Sequence, residues 1–193
     1  MPRVVSNKWI VLTTINHPTQ DVRYLASLPD WNLVVVSDLK TPRNWTLDRV
    51  HFLSVEIQET MSKALTLVRK LPYKSYTRKM VGYLYAISRG AEWIYDTDDD
   101  NRPAFGGLES FDYSEETSGV RFERGKSDDL RYRLFNPYLH FGRKDMWPRG
   151  FPLEFYKLHN HTDANFRLCE KMKRPAVQQG LVDMDPDVDA IFR

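Results

Sequence analysis

Four aspartates within five positions are the densest group of reactive side chains in the sequence. They close the segment AEWIYDTDDD, and they are Asp96, Asp98, Asp99 and Asp100. Carboxylates this close repel one another unless a cation or water offsets their charge. We consider four interpretations: a divalent-metal site, a calcium loop, the nucleophile of a phosphatase and a solvated turn.

Two of these interpretations fit the pattern less well. An EF-hand calcium loop needs glycine at position 6, where the sequence has Asn101, and glutamate at position 12, where it has Gly107. A phosphatase also places Asp-x-Asp after an apolar strand, but normally after the first strand of the domain, and here three predicted strands come earlier. A solvated turn is the usual meaning of a charge run and stays open.

The segments that carry these acids alternate between apolar strands and amphipathic helices. The pattern predicts strands over 9–15, 31–38, 50–55 and 91–96, and helices over 18–28, 56–71 and 75–90. Continuous apolar strands separated by helices indicate an α/β fold, with a mostly parallel sheet and helices on both faces. Ligands of such sheets bind at the carboxyl ends of the strands, and the acids follow the fourth strand.

The helix over 75–90 has the clearest signals. Ser75 is a suitable N-cap and Gly90 a suitable end. Its buried stripe is predicted from helical spacing as Met80, Tyr83, Leu84 and Ile87. In the first helix, Pro18 is predicted at the first helical position.

The pattern becomes irregular after Asn101. Residues 102–133 are polar and predict one long loop, and a short amphipathic segment follows over 163–174. The final segment, DPDVDAIFR, opens a helix within which the chain ends. We therefore predict a single domain over residues 1–193 that is cut short at its C-terminus.

Composition narrows the choice of partners. The formal net charge is +2, which does not indicate a nucleic-acid partner. No apolar run approaches the roughly 20 residues that span a bilayer, and the N-terminus lacks the apolar core of a signal peptide. We therefore expect neither an anchor nor a signal in this chain.

Several blocks of the sequence together resemble the STELLO-like family of candidate glycosyltransferases. They are KWIVLTTINHPT, WNLVVVSDLKTPRNW, LPYKSYTRKMVGYLYAISRGAEWIYDTDDD, NPYLHFGRKDMWPRGFPL and DPDVDAIFR. RGFPL is also similar, more loosely, to a block of the reversibly glycosylated UDP-sugar mutases. The resemblance implies a GT-A-like, Rossmann-like fold that binds a nucleotide sugar. It also implies the Golgi lumen, where plant members are linked to cellulose synthase.

The resemblance assigns the acids. The DxDD motif of the family falls on Asp96, Asp98 and Asp99. It implies Mn²⁺ or Mg²⁺ at Asp98 and Asp99, and the nucleotide sugar at Asp96 and Asp98. Asp187, in the C-terminal segment, would be the general base that takes the proton of an acceptor hydroxyl. This role follows from a resemblance of DPDVDAIFR to the late acidic motif of inverting GT-A enzymes, which usually have glutamate just before that aspartate, where this chain has Pro186. A first-turn helix carboxylate is the alternative.

Five further residues are candidates for binding the nucleotide sugar. Asp38 would contact the base or ribose, and its alternative role is to cap a turn. Thr13 would lie near the nucleotide, and the alternative is that it is there only because threonine favours β-strands. Arg78 and Lys79 could neutralise a diphosphate, or else belong to a solvated helix face. Arg149 could contact phosphate or sugar, or else lie on an exposed turn.

These observations predict a metal-dependent enzyme. It would move a sugar from a nucleotide sugar, with UDP as the expected nucleotide, to an unknown glycan or protein acceptor. One alternative is a catalytically silent GT-A-like scaffold that binds a partner in glycan synthesis. The other is a metal-dependent phosphatase.

Overall fold

The computed structural model describes residues 6–104, 106–123, 136–138, 145–155 and 165–180. The chain divides into two compact units, Met1–Pro103 and Ala104–Arg193, and each is described by itself. The single domain predicted over residues 1–193 stays a prediction.

The first unit is built on a parallel sheet of four strands in the order β3-β2-β1-β4. Its elements are β1 (Lys8–Thr14), α1 (Gln20–Ser27), β2 (Asn32–Ser37), β3 (Val50–Leu53), α2 (Val55–Ala64), α3 (Thr66–Lys70), a 3-10 helix (Tyr76–Lys79), α4 (Met80–Ser88) and β4 (Trp93–Asp96). This is a Rossmann-type arrangement, consistent with a GT-A-like fold. The predicted α/β class is therefore confirmed.

Helices cover both faces of this sheet because its two crossovers run in opposite directions. Right-handed connections place the helix between β1 and β2 on one face and the helices between β3 and β4 on the other. The second face holds a core of Val11, Val34, Val36 and residues of α3 and α4. On the strands, Ile10 and Leu33 alternate with that core and are also fully buried.

Helix α4 lies against the sheet through its smallest residues. Val81, Gly82 and Ala86 are buried, whereas Met80 and Ile87 are 45% and 59% exposed. The predicted apolar stripe is therefore wrong for those two residues. The helix approaches the strands so closely that a Cβ at Gly82 would lie 2.9 Å from Val36 Cγ2. Because glycine has no side chain, Gly82 adds nothing to the hydrophobic pattern of α4. The pattern therefore did not indicate which face of the helix packs against the sheet.

The helix ends are largely as the sequence indicates. Ser75 caps the 3-10 helix that leads into α4, by accepting the N–H of Thr77, and Gly90 adopts a φ of 82° after α4 ends. Helix α1 begins later than predicted, because Thr19 is its N-cap and accepts the N–H of Val22. Pro18 therefore precedes the cap and is not the first helical residue.

The second unit contains an antiparallel pair of strands, β5 (Glu116–Glu123) and β6 (Asn165–Lys173). Both were missed: residues 102–133 were expected to form one loop, and 163–174 an amphipathic segment. Val120 of β5 is 64% exposed and Leu168 of β6 is 78% exposed. Strands that are this exposed do not need the continuous apolar run that identifies a buried strand in a sequence, so the pattern gave no signal for them. Among the described residues, no helix is long and apolar enough to cross a membrane.

Candidate functional site

The candidate site lies at the carboxyl edge of the sheet, where the strand order reverses. From β1 the chain adds β2 and β3 on one side and β4 on the other, so the strand order changes direction between β1 and β4. In open α/β sheets this switch point forms the ligand crevice. Thr14 ends β1 and Asp96 ends β4, so the aspartate cluster begins at this point.

Lys79 provides the charge that offsets two of the aspartates. Its Nζ lies 2.8 Å from Asp96 Oδ1 and 2.9 Å from Asp98 Oδ1, and it donates to the carbonyl oxygen of Thr97 at 2.9 Å. These contacts match the three donors of an ammonium group. Lys79 is only 9% exposed, whereas the two carboxylates are about half exposed. A buried cation therefore holds two solvent-facing acids together.

The pKa values of two residues next to these aspartates are raised. Burial by itself lowers the pKa of Lys79, but the hydrogen bonds and charges of Asp96 and Asp98 raise that pKa above its usual value. The pKa of Tyr83 on α4 is also raised, first by burial and then by the charge of Asp96 and a hydrogen bond to it. Lys79 therefore stays charged and Tyr83 stays neutral near neutral pH.

Asp99 faces a different set of partners. Its Oδ2 accepts hydrogen bonds from the Thr14 hydroxyl and from Asn16 Nδ2, the latter at 3.1 Å. Its backbone carbonyl accepts from the hydroxyl of Thr19, the residue that caps α1. The loop after β4 is thus bonded to the loop after β1, and the Asp99 side chain has a defined orientation.

The hydrogen bonds continue to the end of β2. Thr41 donates to the carbonyl of Thr14 at 2.6 Å and accepts the N–H of Asp38 at 2.8 Å. The Asp38 carboxylate accepts the N–H of Leu39 and that of Lys74, each at 2.6 Å. Asp38 is 7% exposed, so these contacts match the turn-capping alternative.

Thr13 and Arg78 have partners within the fold. The Thr13 hydroxyl donates to the carbonyl of Val36 in the neighbouring strand at 3.0 Å. Arg78 is 2% exposed, its Nε donates to Gln58 Oε1 at 2.7 Å, and its Nη1 donates to the carbonyls of Val68 and Leu71. Arg78 therefore stabilises the interior, so the solvated helix face is wrong for it, and its contact with a diphosphate stays a prediction.

Two further predicted residues belong to the second half of the chain. Arg149 is exposed on a turn of the second unit, next to Gly150 with its φ of 80°. Asp187 lies outside the described residues. The structure thus brings together Lys79, Asp96, Asp98 and Asp99 of the predicted site.

The aspartates suit a divalent cation held jointly with a diphosphate. Within the described ranges, no group of three or more His, Cys, Asp or Glu side chains could hold a metal by itself. Mg²⁺ commonly takes one or two carboxylates and completes its shell with water and substrate phosphates. One oxygen of Asp99 is held by protein donors, and metal-binding carboxylates are usually hydrogen-bonded in this way. Asp98 already shares an oxygen with Lys79.

Sequence reasoning indicated Thr14 from its place at the end of the first strand, but it missed three side chains. They are Asn16, Thr19 and Gln58. The available signal for the first two was their position, because they follow β1 at the same edge of the sheet as the aspartates. Gln58 gave a different signal, a polar residue on the apolar side of a predicted helix, and it is fully buried.

Nearly the whole chain is similar to part of two curated plant proteins. It is 33% identical over 191 residues to "Probable glycosyltransferase STELLO2" of Arabidopsis thaliana, a match that covers 97% of this chain and 24% of that protein. It is 33% identical over 195 residues to "Probable glycosyltransferase STELLO1" of the same plant, with the same two shares. The chain thus spans about a quarter of the length of these relatives. No family model matches the chain.

Proposed function

The chain is a STELLO-like sequence, homologous to part of two probable glycosyltransferases, and from this premise we propose that it transfers a sugar from a nucleotide sugar to an acceptor. The proposed donor is a UDP-sugar, held with Mn²⁺ or Mg²⁺. The acceptor would be a glycan or a protein. The proposed location is the Golgi lumen, where a partner in glycan synthesis would fit the same resemblance.

One observation carries this proposal: the acids lie at the switch point of a parallel sheet, and one of them is braced. Asp99 has one oxygen bonded to Thr14, the last residue of β1, and to Asn16 in the loop that follows. A solvated acidic turn would need no such bracing. The bracing instead supports a carboxylate held in place for a ligand.

The proposed roles follow from these contacts. Asp98 and Asp99 would hold the metal, which offsets the charge of the diphosphate leaving group when it is bound. Asp96 would lie beside the nucleotide, next to Lys79. Asp187 remains the proposed general base for the acceptor hydroxyl, and Arg149 a proposed contact to phosphate or sugar.

Calorimetry with UDP and Mn²⁺ tests the binding step. We expect wild-type protein to bind UDP only when Mn²⁺ is present, and Asp98→Asn to weaken binding by about tenfold or more. Asp100→Asn is the matched control, because it makes the same change on an exposed neighbour and should alter affinity less than about twofold. Absence of heat with folded wild-type protein would overturn the nucleotide proposal.

Turnover needs a separate measurement. Hydrolysis of a UDP-sugar in the presence of Mn²⁺, reduced in Asp98→Asn, would support transfer. Binding of UDP without hydrolysis would instead indicate the silent scaffold. Release of phosphate from an aryl phosphate, abolished by Asp96→Asn, would indicate the phosphatase.

A further inference from the structure

The cation already present at the site is Lys79. Its Nζ is within 2.9 Å of one oxygen of each of Asp96 and Asp98, and within 2.9 Å of the carbonyl oxygen of Thr97. The ammonium therefore lies against one of the two carboxylates proposed to hold the metal. Asp99, the other one, is bonded to Thr14 and Asn16.

The backbone of Lys79 has little freedom to withdraw. It is the last residue of the 3-10 helix that leads directly into α4. Two residues further on, Val81 is fully buried against the core and Gly82 lies in close contact with β1 and β2. The ammonium is thus carried on an element packed rigidly against the sheet.

We infer that Lys79 is a resident counter-cation that makes the site a poor binder of free divalent metal. A divalent ion at Asp98 would meet a like charge already bonded to the same carboxylate, and like charges repel strongly at such separations. A nucleoside diphosphate brings negative charge that both cations can share. The metal would therefore bind together with the nucleotide. This inference rests on the proposed function and adds a specificity-determining residue to it.

The test measures Mn²⁺ binding to the chain without nucleotide. Electron paramagnetic resonance reports the free Mn²⁺ directly, with no need for activity. We expect Lys79→Gln to bind Mn²⁺ about tenfold more tightly than wild type, because a repelling charge is removed. Lys63→Gln, at an exposed position on α2, makes the same change in net charge and should leave the affinity unchanged.

Two further variants keep the test decisive. Lys79→Arg retains the charge and should stay near wild type. Lys79→Met keeps the length of the buried stem and replaces the glutamine variant if that variant does not fold. Unchanged or weaker Mn²⁺ binding in a folded variant without charge, or no binding in any protein, would overturn the inference.

The result of this Mn²⁺-binding test can be distinguished from the result of the UDP-binding test of the proposed function. If wild type fails to bind UDP with Mn²⁺, the nucleotide proposal falls, whatever Lys79→Gln does with Mn²⁺ alone. If wild type binds UDP with Mn²⁺ but Lys79→Gln shows no gain for the free ion, only the role of Lys79 falls.

Discussion

Replacing Gly82 with alanine should force α4 away from the sheet. A Cβ at this position would lie 2.9 Å from Val36 Cγ2 and closer still to Val11 Cγ1, with Val34 Cγ1 at 3.5 Å. All three valines are fully buried on adjacent strands, so none can turn toward solvent. Either the strands or the helix must shift.

The magnitude follows from two opposing effects. Overpacking a filled core costs about 1–3 kcal/mol. Alanine in place of glycine inside a helix returns about 1 kcal/mol. Because Gly82 would meet two side chains at once, the clash should lie near the upper limit, and we expect a net loss of about 2 kcal/mol of unfolding free energy.

Urea denaturation measures this loss, and a second substitution tests its cause. Val11→Ala removes the methyl group closest to Gly82. The double variant should therefore be more stable than the sum of the single changes predicts, by about 1 kcal/mol. Gly180→Ala is the control, since among the described residues nothing lies within 4 Å of its Cβ, and it should change stability by less than about 0.5 kcal/mol. Wild-type stability in Gly82→Ala, or strict additivity with Val11→Ala, would refute this packing.

Substitutions of three polar side chains that are buried or partly buried in the fold test their contacts. Gln58→Leu leaves the Nε of buried Arg78 without its acceptor and should cost about 2 kcal/mol in urea denaturation, whereas equal stability would contradict the bond. Thr14→Val removes a donor to Asp99 and, under the proposed function, should weaken Mn²⁺-dependent UDP binding about tenfold in calorimetry, with an unchanged affinity counting against the bracing. Burial, and then the charge of Arg89, lower the pKa of His51 in the folded protein below its value in the unfolded chain. The contribution of His51 to the free energy of unfolding is therefore present above the unfolded pKa, and it should be lost as the pH drops from about 7.5 to about 5.5. His51→Gln should lose less stability over this range, and an equal loss in both proteins would refute the assignment.

The sheet was accessible from the sequence because its central strands are apolar on both faces. β1 and β2 carry unbroken runs of buried residues, and the helices between strands imply parallel pairing. The position of the aspartate cluster at the carboxyl edge followed from the same reasoning. The prediction of the aspartate cluster depends on the prediction of the sheet, because the aspartates can be placed at its carboxyl edge only after the preceding strands are identified.

The partners of the site residues were not accessible in this way. Lys79 precedes α4 and Asp98 follows β4, so the two residues are 19 positions apart in the chain and meet only in the folded structure. Asp99 and Thr14 are 85 positions apart and meet because β1 and β4 are neighbours. Strand order decides such contacts, and local periodicity does not report strand order. Exposed strands such as β5 are also missed, because the prediction relied on the apolar pattern of buried strands.

The hydrogen bonds from Asp99 through Thr14 and Thr41 to Asp38 and Lys74 have a consequence for recognition. They join three strand ends and the segment before α4 to one another. Fixing a flexible residue upon binding costs about 1–2 kcal/mol of conformational entropy. Loops that are already tied together avoid most of this loss, so a ligand that reaches this edge meets a preorganised surface. More of its contact energy can then appear as affinity.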